Sequence, residues 1–227
     1  MKKYIYGGFW VVLLCTSVLP FVLFFLFFPF RNFRDRIVRL FAFIFSRLAI
    51  FFTGSQYEIV GKENLPEGNF LAVANHQNVL DIPAIVCAVP QKIGFVAKKE
   101  LFKVPMLAMW MRLLGCVNMD RSSIRKSAVA VQRAAERLSQ GYNLLIFPEG
   151  TRSKDGKIKK FKPGSVKMAL QAGVPVVPFT CIGTASAFAK DNQIRVIIHP
   201  PVYPDGKTSS QVARLAQTMV ESKFSLV

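Results

Sequence analysis

A reaction that needs a proton accepted near neutral pH has two histidines to choose from here, His76 and His199. His76 follows the apolar run Phe70–Ala74 and opens the polar stretch Asn75-His76-Gln77-Asn78, with Asp81 five residues on. His199 lies between Ile198 and Pro200 at the end of another apolar run. A neutral imidazole can take the proton of a hydroxyl nucleophile when its other ring nitrogen is held by a partner, and Asp81 can be that partner. On an ideal α-helix, positions five apart point about 140° away from each other. The pair therefore meets only if His76 lies in a loop and a helix begins near Asp81, and Asp81-Ile82-Pro83 has the form of such a start. The same residues fit an Asp81 that is simply the cap of that helix, so spacing alone leaves both readings open.

A second polar group is Phe147-Pro148-Glu149-Gly150-Thr151-Arg152-Ser153, which sets a carboxylate, a glycine and a cation in close succession after an apolar run. Lys154, Lys157, Lys159, Lys160 and Lys162 crowd the next stretch, and Gly164-Ser165 is expected to open a helix whose N-terminus would favour an anion. This is either a phosphate site or a solvated turn. Cys15, Cys87, Cys116 and Cys181 show no CxxC or Cys/His ligand spacing, so neither a zinc site nor a disulfide framework is indicated, and a reducing compartment fits.

These residues need a scaffold, and the pattern after Gly54 supplies one. Short apolar runs at Phe70–Ala74, Ile93–Ala97, Cys116–Met119, Asn143–Phe147, Pro175–Thr180 and Arg195–Ile198 read as buried strands. The clearest helix between them is Ile124–Gln140, capped by Ser122 or Ser123, ended by Gly141, with Ile124, Ala128, Val131, Ala135 and Leu138 on one stripe. Such alternation predicts an α/β fold, a mixed and largely parallel sheet flanked by helices, with ligands at the carboxyl ends of the strands. His76, Lys98, Arg121 and Glu149 all fall near such ends.

The N-terminus reads as a membrane segment. Tyr4 to Phe30 holds no charge and is long enough to cross a hydrocarbon core of roughly 30 Å. Arg31, Arg34 and Arg36 follow it directly instead of a small-residue cleavage site. A second segment, Ile37–Phe52, is expected to lie in the membrane interface. Leu40, Phe41, Ile44, Phe45, Leu48 and Phe52 would face the acyl chains there, with Arg39, Ala42, Ser46 and Ala49 on the other side. A helix buried on the globular domain is the alternative. Residues 1–53 thus read as an anchor of two helices and 54–227 as the α/β domain, with Thr53–Asn69 as the junction. The arginines after the first segment favour a spanning helix with the domain on the cytoplasmic side of the cell membrane, and a hairpin inserted from one leaflet fits the charges equally well. With 30 Lys and Arg against 13 Asp and Glu, a net charge of +17, the partner should be acidic. The apolar N-terminus, 21 Phe and the lack of any nucleic-acid signature favour lipid over nucleic acid.

Four blocks in order resemble the glycerolipid acyltransferases, over about residues 55 to 205. Asn75-His76 with Asp81 resembles that family's His-x4-Asp block, and Gly115 to Arg121 its Gly-x-x-Phe-x-x-Arg block, with Asn118 where an aromatic or aliphatic residue is usual. Phe147 to Ser153 matches Phe-Pro-Glu-Gly-Thr-Arg-Ser, and Val174-Pro175-Val176-Val177-Pro178 matches Val-Pro-x-x-Pro. The resemblance implies an enzyme without a cofactor that transfers a fatty acyl group from acyl-CoA or acyl carrier protein to the sn-2 hydroxyl of lysophosphatidic acid. It implies His76 as base and Asp81 as its orienting acid. It also implies that Glu149, Gly150 and Thr151 position the acceptor, and that Arg121, Arg152 and Lys98 bind its phosphate.

Overall fold

The computed structural model describes residues 31–153 and 156–224. Seven strands, β1 (Gln56–Val60), β2 (Leu71–Ala74), β3 (Ile93–Lys98), β4 (Val117–Met119), β5 (Asn143–Ile146), β6 (Val176–Ile182) and β7 (Gln193–Ile198), form one sheet in the order β1-β7-β6-β2-β5-β3-β4. Neighbours are parallel throughout, except β6 and β7, which are antiparallel. Every residue of β2, β5 and β6 is buried, the signature of central strands covered by helices on both faces. β1 falls in the stretch expected to be a junction. Its sequence Gln-Tyr-Glu-Ile-Val places polar groups on an edge strand with exposed ends, so no apolar run announces it.

Successive side chains of a strand point to opposite faces, which divides the core in two. Leu71 and Val73 pack with α4 (Ile124–Ser139), α5 (Lys167–Ala172) and α6 (Ser209–Phe224). Ala72 and Ala74 pack with α2 (Asp81–Ala88), on which α1 (Arg31–Phe51) lies, while α3 (Pro105–Leu113) precedes β4. In α4 the hydroxyl of Ser123 accepts a hydrogen bond from Lys126 N at 3.2 Å, as a helix cap should. The buried stripe of α4 is Ala130, Ala134, Ala135 and Leu138. Ile124, expected on that stripe, is 91% exposed, because the first turn stands at the open edge of the sheet.

The second expected anchor helix is α1, whose small-residue face packs on the domain while its apolar face stays outward. The face carrying Ser46 and Ala49, together with Val38 and Ile50, is buried against the domain, because small side chains let α1 approach α2 closely. Arg39 donates to Pro90 O at 2.8 Å. Leu40, Phe43, Ile44, Leu48 and Phe51 are exposed on the other side. Ile50, near the end of α1, joins the core cluster on this face of the sheet. The first expected membrane segment, Tyr4 to Phe30, lies outside the described residues, and no described helix is long and apolar enough to cross a membrane.

Candidate active site

β2 ends at Ala74, and the loop that follows carries the chemistry. Asn75 is buried, and its amide extends the β2–β6 ladder by one rung: Nδ2 donates to Cys181 O and Oδ1 accepts from Cys181 N, both at 2.8 Å. The loop then turns, and His76 presents its ring against that of Phe147, centroids 3.9 Å apart and 15° from parallel. Stacking fixes the ring plane, and Asp81 fixes its rotation, with His76 Nδ1 2.8 Å from Asp81 Oδ2. The side chain of His76 keeps 14% of its exposure, and Nε2 has no protein partner among the described residues.

Asp81 is the first residue of α2, and it is not the cap. Leu80 holds that position, and Asp81 Oδ2 accepts instead from Gln77 N at 2.7 Å and Asn78 N at 2.9 Å, two amides that precede the helix. Its other oxygen, Oδ1, accepts from the hydroxyl of Thr184. The carboxylate is fully buried, and these hydrogen bonds replace the water its oxygens lose. Thr184 reaches it because Gly183, at φ +79, turns the chain just after β6; a Cβ there would meet Gln193 O at 2.0 Å. Thr184 was not foreseen from the sequence, and Asn75 was named only within the His76 block, without a role. Their roles depend on contacts more than a hundred residues apart, which no local pattern encodes.

Glu149 ends up as a brace. It is 4% exposed, Oε1 accepts from His76 N at 2.7 Å and Oε2 from Lys159 N at 2.9 Å. Ser153 N also donates to His76 O at 2.8 Å. The block after β5 therefore clamps the backbone of the histidine, with each Glu149 oxygen accepting from a backbone amide. Burial pushes its pKa up, while the two backbone N–H groups pull the other way.

The expected cations separate into two groups. Arg121 donates through Nη1 to Gly150 O and lines a groove of about 500 Å³ with Gly150 and Lys162. Lys98 is exposed at the end of β3, and Arg152 is exposed with its carbonyl accepting from Lys159 Nζ at 3.2 Å; neither lines that groove. Thr151 is exposed, with its hydroxyl 3.5 Å from Lys159 Nζ. The helix expected from Gly164-Ser165 is a short 3-10 turn followed by the six residues of α5, too little for a developed N-terminal dipole. Asn118 points outward from β4, where a polar side chain costs nothing.

His199 is a structural histidine. Its Nε2 lies 2.8 Å from Thr180 Oγ1, which also donates to Val220 O at 3.1 Å, and burial lowers its pKa to about 4. The described thiols are quiet as well, with Cys87 and Cys116 each pushed up to about 12 by burial and Cys181 raised well above the usual thiol value.

With the geometry in place, comparisons with known proteins decide the family. A family model described as Acyltransferase matches residues 56–182, more than half of the chain. The chain belongs to the acyltransferase family. A chloroplastic 1-acyl-sn-glycerol-3-phosphate acyltransferase of Brassica napus is 34% identical over 179 residues, covering 75% of this chain and 51% of that protein. The corresponding enzyme of Limnanthes alba is 30% identical over 208 residues, covering 88% of this chain and 74% of its own. This acyltransferase spans about half the length of several curated relatives it matches. Among solved structures, the 1-acyl-sn-glycerophosphate (LPA) acyltransferase PlsC of Thermotoga maritima aligns with a TM-score of 0.73 at 29% identity, covering 99% of this chain and 97% of that one.

Proposed function

We propose that this acyltransferase moves a fatty acyl group from an acyl thioester to the sn-2 hydroxyl of lysophosphatidic acid, forming phosphatidic acid. The observation that carries the reading is the His76–Asp81 pair at 2.8 Å, with the ring stacked on Phe147 and Nε2 open. His76 Nε2 accepts the hydroxyl proton as the oxygen attacks the thioester carbonyl. The tetrahedral intermediate collapses to the ester, and the departing thiolate takes the proton from the imidazolium, which Asp81 stabilises meanwhile. General-base assistance of this kind contributes about 10²–10⁴-fold. Holding both substrates beside the base supplies much of the rest. No acyl-enzyme is required, and burial raises the pKa of each described thiol.

The acceptor and product carry acyl chains, so the domain should sit on a bilayer. We propose that the outer face of α1 docks there, on the cytoplasmic side of the cell membrane. Exposed Leu40, Phe43, Ile44, Leu48 and Phe51 support this, as do exposed Leu101, Val104 and Leu107 around α3. Phe41 and Phe45 join the two elements through contacts with Trp110, with centroids 6.4 and 6.0 Å apart. The donor is acyl-CoA or an acyl carrier protein, both acidic enough to suit the basic surface.

The test supplies purified full-length protein with each donor, with and without lysophosphatidic acid. The proposal expects thiol release only when the acceptor is present, matched by phosphatidic acid. Equal release of free fatty acid in both arms would show a thioester hydrolase instead.

A further inference from the structure

Basic residues are abundant in this chain, so the useful question is which of them remain unneutralised and converge. Lys99 is paired with Asp120 at 2.9 Å, and Lys126 lies 3.7 Å from the same carboxylate. Lys159 points its ammonium at the carbonyl of Arg152. Arg121, Lys162 and Lys167 are different. All three line the groove beside Gly150, no carboxylate lines it among the described residues, and none of the three forms an ion pair there.

Gly150 shows how close two of these cations come. Its backbone is left-handed, at φ +81, and a Cβ on it would stand 2.8 Å from Lys162 Nζ and 3.2 Å from Arg121 Nη1. Two positive groups thus share the space over one α-carbon, close enough for oxygens of a single phosphate to meet both. Lys162 is held there from its own backbone, since its N–H donates to Pro148 O at 3.1 Å. Like charges kept together without a counter-ion favour an anionic ligand. The inner wall of the groove is apolar, with Val131 and Ile146 among its lining residues, which suits a phosphate that carries a hydrocarbon chain. The site also adjoins the base, because the residue before Gly150 is the Glu149 whose carboxylate grips His76 N.

We propose that Lys162, with Arg121, clamps the acceptor's phosphate. This rests on the acyl-transfer reading above. Phosphate chemistry is shared by the acyl donor, whose carrier arm contains it too, so the experiment must separate the two sources. Full-length wild type, Lys162→Met and Lys162→Arg are assayed in lipid–detergent micelles with lysophosphatidic acid, and with monoacylglycerol as an acceptor lacking phosphate.

Lys162→Met should raise KM for lysophosphatidic acid about tenfold to a hundredfold, the effect of losing one charge-assisted hydrogen bond. Donor KM should be unchanged, as should whatever transfer to monoacylglycerol the wild type supports, and Lys162→Arg should restore most of the affinity. An unaltered acceptor KM, a rise confined to donor KM, or an equal loss with monoacylglycerol would each overturn the clamp. A wild type that does not acylate lysophosphatidic acid at all would instead overturn the underlying reading.

Discussion

The two histidines end strands of the same sheet, yet they stand at opposite edges. β7 runs antiparallel to β6 and β2, so the residue after β7 emerges where the parallel strands begin, and His199 N donates to Pro178 O near the start of β6. His76 emerges where β2 and β5 end, beside Phe147 and Glu149. Their partners differ in the same sense. His76 faces a buried carboxylate at 2.8 Å, whereas His199 faces a hydroxyl in a buried site that disfavours charge. A histidine at a strand end becomes a base through its edge and its partner, and strand direction decides the edge.

The largest effect is expected from removing the carboxylate. In Asp81→Asn one of the two carboxylate oxygens becomes an NH2 that can only donate, so the side chain can no longer accept from Gln77 N, Asn78 N and His76 Nδ1 on one oxygen and from Thr184 on the other, and the imidazole loses its tautomer and rotation. Turnover should fall about 10³-fold, with membrane association intact, measured by steady-state transfer and vesicle sedimentation. Thr184→Val removes one donor to the same carboxylate and should lower kcat about tenfold with little change in KM. A Thr184→Val enzyme as impaired as Asp81→Asn would mean that Thr184 does more than position the acid.

His199→Phe should leave kcat within about twofold, because nothing joins that histidine to the reaction edge. Its signature is in stability. A base whose pKa falls from 6.5 in the unfolded chain to about 4 when folded leaves the unfolded state binding more protons between those values. Wild-type stability should therefore be full above pH 6.5 and decline as the pH falls toward 4, and His199→Phe should flatten that slope in denaturant titrations. A pH dependence identical in the two proteins would remove His199 as its source.

The sequence disclosed the central strands and the His76 loop because both are local facts. Leu71–Ala74, Asn143–Ile146 and Val176–Ile182 are apolar on both faces, and the need for a loop between His76 and Asp81 follows from helical geometry alone. β1 escaped notice because an edge strand alternates polar and apolar residues without a buried run. In α1 the stripe of Ala42, Ser46 and Ala49 was visible, but periodicity does not reveal whether small residues face solvent or a second helix. The motif around Glu149 was legible as a site and its role was not, since the backbone amides that occupy its oxygens come from His76 and Lys159. The cations were the hardest to rank. Which lysines are neutralised depends on contacts such as Lys99 with Asp120 across 21 residues, and only the folded chain sets Lys162 over Gly150.

The central claim is that His76 Nε2 removes the proton from the acceptor's hydroxyl. The most direct test is single-turnover transfer from a radiolabelled acyl thioester to lysophosphatidic acid by wild type and by His76→Ala, at matched occupancy of both substrates. His76→Ala should bind both substrates as wild type does and form phosphatidic acid at least about 10³-fold more slowly, no faster than Asp81→Asn. Transfer at the wild-type rate by His76→Ala would contradict the claim.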